Sequence, residues 1–237
     1  MWLLEVEFIC NKKNIMVDIT YYTKIFFNEE TGKERYSLIS KEAESVFRDN
    51  SIEKCWEIAI ECYNSELYYI QAFAVSIMGL ISYKYNEAFC FLKNNASKNP
   101  SWQVQEFLAM AFDNYCKNTG YEQSLQTINE WLNDKNQNIR RAVTEGLRIW
   151  TKRPYFKDNI EETIKLLSKY KTDESEYVRK SVGNALKDIS KTHPELIKEE
   201  LRKWELDTKE IRQVYQLAGK FMDKNNTGDY GKINERP

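Results

Sequence analysis

NIRRAVTEGLRI, residues 138–149, can be laid over YVRKSVGNALKD, residues 177–188, so that Ile139 meets Val178, Val143 meets Val182 and Leu147 meets Leu186. QVQEFLAMAFDN, residues 103–114, joins them with Val104, Leu108 and Phe112, and YIQAFAVSIMGL, residues 69–80, fits more loosely with Ile70, Ala74 and Met78. Apolar residues four apart return to one face of an α-helix, so each stretch predicts a helix with one buried side. The leading apolar residue recurs at 70, 104, 139 and 178, in steps of 34, 35 and 39.

Self-similarity at this period is how stacked helical pairs of the HEAT type read in sequence, because one pair cannot bury its own apolar face and must lean on its neighbours. The expected fold is all-α: a HEAT-like, ARM-type right-handed superhelix of stacked antiparallel helix pairs. Function then belongs on the surface that such a stack creates. With the leading apolar residue counted as position 1, positions 3, 7 and 11 lie one turn apart on a second face. They read Glu106, Met110, Asn114; Arg141, Glu145, Ile149; and Lys180, Asn184, Asp188, with Trp102 at the start of the first helix. Gly79, Gly146 and Gly183 fall inside the same helices. Glycine there costs about 1 kcal/mol against alanine, so close helix-to-helix approach is the expected reason for each.

Composition narrows the function classes. Four Pro, eight Gly and 30% charged residues among 237 suit a helix-rich soluble protein. The opening MWLLEVEFIC is too short and too acidic for a signal peptide, and no apolar span reaches membrane length. A cytoplasmic monomer without a membrane partner is expected. Five cysteines without CxxC spacing read as reduced, mostly buried thiols. His193 is the sole histidine, so a histidine-based metal site or catalytic triad has almost no material; ahead of Pro194 it reads as a turn residue. Neither metal nor organic cofactor is expected. The net charge of −1 makes no overall case for nucleic acid, yet residues 135–191 hold 14 Lys plus Arg against 8 Asp plus Glu. A local excess of this kind can track phosphates or can be a solvated face.

Along the chain, three- and four-residue apolar spacing predicts helices over 41–49, 51–63, 66–83 and 86–97. A Trp102 helix, 121–132, an Arg140 helix ended by Pro154, 159–170, an Arg179 helix, 194–204 and 208–222 come next. The first forty residues read as one or two capping helices, with Met16 an alternative start. A single domain is expected over 1–222, and the unpatterned NNTGDYGKINERP belongs to a disordered tail over 223–237.

Glu106, Glu145 and Asp188, side by side on neighbouring helices, could stabilise a developing cation, orient a water or raise one another's pKa. They could equally form a ladder of interhelical salt bridges with Arg141 and Lys180. Trp102 is either a packed helix-start aromatic or a ligand contact.

The segments NIRRAVTEGLRIWTKRPYF and DESEYVRKSVGNALKDISKTHPELI resemble the HEAT-like DNA alkylation repair proteins, the AlkC and AlkD superfamily of DNA glycosylases. The resemblance covers roughly 66–222 and is most specific over 140–146 and 175–194. It implies a helical array that grips duplex DNA containing alkylated bases and hydrolyses the N-glycosidic bond of cationic purines such as 3-methyladenine and 7-methylguanine. Trp102 and Glu106 fill the places of the AlkD-branch tryptophan and the aspartate four residues after it, and Arg141 matches its arginine one repeat on. Glu145 in TEG, Asp188 in DISK and Glu106 match the AlkC-branch carboxylates. The resemblance thus implies catalytic roles for Glu106, Glu145 and Asp188, with Trp102 and Asn184 at the lesion or its nucleotide. Arg141, Arg148, Lys152, Arg153, Arg179, Lys180 and Lys187 would lie near phosphates. The chain departs from AlkD in having Asn184 where that branch has a second tryptophan. It departs from AlkC after TEG, where it runs on through Leu147, Arg148, Ile149 and Trp150 without that branch's arginine-proline pair. Rival readings are a non-catalytic member that binds damaged or branched DNA and a scaffold for a protein partner.

Overall fold

A computed structural model describes residues 17–222. The chain runs through α1 (Ile19–Phe26), a two-residue hairpin of β1 (Phe27–Asn28) and β2 (Lys33–Glu34), then α2 (Tyr36–Asp49), α3 (Ile52–Tyr63), α4 (Tyr68–Ile81) and α5 (Asn86–Asn94). After these come α6 (Trp102–Thr119), α7 (Leu125–Leu132), α8 (Gln137–Gly146), α9 (Pro154–Asp158), α10 (Ile160–Ser168), α11 (Glu176–Ser190), α12 (Pro194–Arg202) and α13 (Lys209–Gly219). Short 3-10 turns sit at Ala96–Lys98 and Trp150–Lys152. The expected tail over 223–237 and the Met16 start lie outside the described residues.

Two layers form. Helices α2, α4, α6, α8, α11 and α13 pack side by side in that order, while α3 and α5 cover α4, α7 covers α8, and α10 and α12 cover α11. This is the HEAT-like all-α array that the repeat predicts. Its core is the set of aligned apolar positions: Ile70, Val104, Ile139 and Val178 at position 1, Ala74, Leu108, Val143 and Val182 at position 5, and Met78, Phe112, Leu147 and Leu186 at position 9 are all buried. Each of the larger side chains contributes about 1.5–3 kcal/mol by leaving water. A fifth repeat begins at Ile211, which is also buried.

The inner helices approach closely because small residues let them. A Cβ on Gly79 would lie 2.6 Å from the Ala111 backbone, and one on Gly146 would collide with the Ala109 carbonyl. The α4–α6 and α6–α8 crossings therefore depend on those two hydrogens.

Position 2 has a recurring structural task. The Gln71 side-chain amide donates to Ser65 O, Gln105 to Ala96 O and Asn99 O, Arg140 to Asp134 O and Lys135 O, Arg179 to Asp173 O and Glu174 O, and Arg212 to Leu206 O. Each thereby fastens the loop that enters its own helix, satisfying carbonyls of which all but Ala96 O lack a backbone partner. The same side chains reach the following repeat. Gln71 accepts from Asn99, Arg140 makes a buried fork onto Asp173 at 2.7 and 2.8 Å, and Arg179 donates to Gln213. The Arg179 guanidinium, expected near phosphates, is buried and spent on loop and interhelix hydrogen bonds. The shared row of Arg140 and Arg179 joins repeats rather than lining a rim.

Other departures have local causes. The Arg140 helix ends at Gly146, well before Pro154, as Trp150 turns inward against Phe156 with ring centroids 4.7 Å apart. Ile149 and Arg148 thus leave the helical positions 11 and 10. Pro154 opens the short α9 instead of ending α8, which suits a residue tolerated at the first helical turn. Among the described residues ahead of α2 there are one helix and a hairpin, and Tyr22 and Phe26 of α1 pack on Phe73 at the end of the core. His193 takes the turn position before α12. Cys55, Cys62 and Cys116 are free and buried, with burial pushing the Cys62 and Cys116 thiols up to about 12, whereas Cys90 is exposed. Cys10 lies outside the described residues.

Candidate active site

The capped starts of α6, α8 and α11 set the register of the shared face. Ser101, Asn136 and Ser175 each accept a hydrogen bond from the first turn, at Val104, Asn138 and Val178 respectively. Trp102, just inside the α6 cap, is 65% exposed and so belongs to the surface rather than to the packing. Met110, two turns on, is also exposed. Between them Glu106 accepts from Arg141 Nη2 of α8, and its side chain remains 42% accessible.

Beside this pair lies a cavity of about 400 Å³ whose wall includes Glu106, Met110, Asp113, Glu145, Arg148 and Arg153. Glu145 is held at both oxygens: Arg148 Nη1 donates to Oε1 at 2.8 Å, and the Ser181 hydroxyl donates to Oε2 at 2.9 Å. Arg148 Nε donates in turn to Asp188 Oδ2 at 2.8 Å, and Lys191 Nζ to Asp188 Oδ1 at 2.7 Å. Burial pushes the Asp188 carboxyl up, but the Lys191 ammonium and the Arg148 guanidinium outweigh it and hold the group below the usual carboxylate range. For Arg148 burial disfavours the charge, and its hydrogen bonds to Asp188 and Glu145 overcome that penalty.

The expected residues thus divide. Glu106 and Glu145 reach the cavity. Asp188 is brought beside Glu145 but is only 7% accessible at its side chain, with both oxygens engaged. Asn184 is half-buried and accepts from Lys187 Nζ at 2.7 Å; Lys180 pairs with Glu176 on the solvent side of α11. Lys152 is exposed. Arg153 is turned onto Asp113 Oδ2 at 2.7 Å.

Two participants escaped the sequence reading. Asp113, at position 10 of α6, accepts from Arg153 and from the Tyr121 hydroxyl at 3.0 Å, and burial pushes its carboxyl up against the pull of both partners. Ser181, at position 4 of α11, fixes Glu145. Adjacency of Asp113 to position 11 was the available signal; a serine offered none. Among the described residues, no three His, Cys, Asp or Glu side chains gather to hold a metal ion, and no helix is long and apolar enough to cross a membrane.

A stack of helical pairs with carboxylates and a bare tryptophan on its shared face invites comparison. The sequence profile of the family described as DNA alkylation repair enzyme matches residues 35–215. The chain belongs to that family. Among solved structures of similar proteins, AlkD2 from Streptococcus mutans is 44% identical and superposes with a TM-score of 0.80, over 85% of this chain and 97% of that one. The protein smu.31 from Streptococcus mutans UA159 is 48% identical with a TM-score of 0.76, over 78% of this chain and 92% of that one. YhaZ of Bacillus subtilis strain 168, itself uncharacterized, is 40% identical over 87 residues, which span 35% of this chain and 24% of YhaZ. Membership of the DNA alkylation repair enzyme family accounts for the repeat and for the polar face together.

Proposed function

We propose that the protein hydrolyses the N-glycosidic bond of purines made cationic by alkylation, such as 3-methyladenine and 7-methylguanine, in duplex DNA. The observation that carries this reading is Glu106, an accessible carboxylate one turn from the exposed Trp102 and on the edge of a cavity. An alkylated purine is already a good leaving group. The C1′–N bond breaks with its electron pair going to the base, which neutralises it, while positive charge builds on the sugar. An anion at that place lowers the barrier, and the water oxygen then bonds to C1′ and gives up a proton. Glu106 supplies the anion, Arg141 holds it in place, and Trp102 offers a flat apolar wall to the nucleotide. Asp188 acts behind them as a buried anchor. No metal or organic cofactor is required for these steps. The protein would act as a monomer in the cytoplasm, on the nucleoid.

Release of free 3-methyladenine and 7-methylguanine from methylated duplex tests this directly. Release by the wild type that collapses in Glu106→Gln is the expected result; no release at high enzyme concentration would overturn it. A second reading, a member that binds altered DNA without excising bases, is favoured by one observation: Arg148 already covers Glu145 and Asp188. It predicts salt-sensitive DNA binding with no free base.

A further inference from the structure

Arg148 lies beyond the end of α8, yet its guanidinium reaches back between a carboxylate of α8 and one of α11. Its side chain is 31% accessible and forms part of the cavity wall next to Glu145. A guanidinium is a flat, delocalised cation with donors along its edges. A purine alkylated on its imidazole ring is likewise a flat, delocalised cation. Glu145 is thus already matched to a charge of the kind the proposed reaction would bring, and the chain itself supplies that charge.

We propose that Arg148 is a specificity-determining residue of this pocket, a built-in competitor that keeps Glu145 from any cationic base until another anion takes the guanidinium. This rests on the proposed base-excision function. Phosphodiester oxygens are suitable anions, since arginine pairs with phosphate through the same forked geometry that it uses on a carboxylate. Asp188 does not accompany Arg148 outward, because Lys191 still holds its other oxygen and the carboxyl is buried. Glu145 stays aimed as well, through the Ser181 hydroxyl. A free cationic nucleoside would therefore find the pocket closed, while the same base within a DNA strand would find it open. Selection for a lesion inside DNA over free methylated nucleosides results from that exchange alone.

The test uses 7-methylguanosine, whose imidazole ring carries a positive charge, and guanosine, which lacks the N7 methyl group and with it the charge. Binding of each is measured by titration calorimetry to the wild-type full chain, Arg148→Ala, Arg148→Gln and Arg148→Ala combined with Glu145→Gln. Arg148→Ala and Arg148→Gln are expected to bind 7-methylguanosine about tenfold or more tightly than the wild type does. Guanosine should gain nothing, and Glu145→Gln should abolish the gain. An equal gain for guanosine would mean that only space had been created, and the proposal fails. No gain in either variant overturns it too. So does unfolding of both, since an arginine that the fold cannot lose cannot be drawn away. Base release from methylated duplex by the wild type is scored separately: its absence would sink the excision reading while the nucleoside titrations still decide the role of Arg148.

Discussion

Glu106 and Asp188 show how two carboxylates on one helical face acquire different work. Glu106 has one partner and open water beside it; Asp188 has two cationic partners and almost no water. Replacing Glu106 by Gln should lower the rate of base release about a hundredfold, the usual scale for removing one preorganised charge from a developing cation, without change in thermal stability. Asp188→Asn should act on stability, with a loss of about 2 kcal/mol at neutral pH, the scale for hydrogen bonds between charged groups. Because the folded-state pKa of Asp188 lies below its unfolded value, its contribution is present above the ordinary aspartate range and disappears as pH falls through the lowered folded value. Urea titrations across the acid range should show a shallower acid-side decline in Asp188→Asn than in the wild type.

At the scale of the element, the repeat made the inner helices legible, since every aligned apolar position is buried, and it also made Gly79 and Gly146 legible as close contacts. Helix ends were less so. Trp150 carries the chain off the α8 axis through a tertiary contact that no local pattern announces, and with it the positions of Arg148 and Ile149. Of the site, the sequence showed which residues share a face; it did not show which of them already have partners. That depends on reach across helices, as when Arg179 turns to Gln213 and loop carbonyls instead of solvent. Gly146→Ala should lower the urea midpoint, losing about 3 kcal/mol as α8 is pushed from Ala109. Gln105 offers the opposite case. Its buried Oε1 has no partner, whereas the equivalent Arg140 forks onto Asp173 one repeat later. Gln105→Arg, which would face Asp134 by the same repeat logic, should raise stability by about 1 kcal/mol, read from the same midpoint.

For the whole molecule, the pairing of its cations sets how strongly salt can control DNA binding. Of the seven basic residues expected near phosphates, Arg141, Arg153 and Arg179 are held by groups of other elements, whereas Lys152 is exposed, Lys180 and Lys187 are partnered only within their own helix, and Arg148 joins these three if it exchanges partners. Four phosphate contacts predict a slope of log binding constant against log salt of about −4, and all seven would predict about −6. Fluorescence anisotropy with a methylated duplex over a salt series measures it, and a slope near −6 would show that the arginines let go of their protein partners.

Not every joint of the array uses the same chemistry. Between α4 and α6 the repeats are linked by amides, Gln71 to Asn99, but α8 meets α11 through ions on two flanks, Arg140 with Asp173 at the loop edge and Arg148 with Asp188 at the cavity edge. That crossing is bound like the spine of a book, with α2 to α8 as one cover and α11 to α13 as the other. Glu145 and Asp188 sit on facing pages there with Arg148 as the clasp between them, so any slip of α11 against α8 would register at once as a change in the width of the pocket.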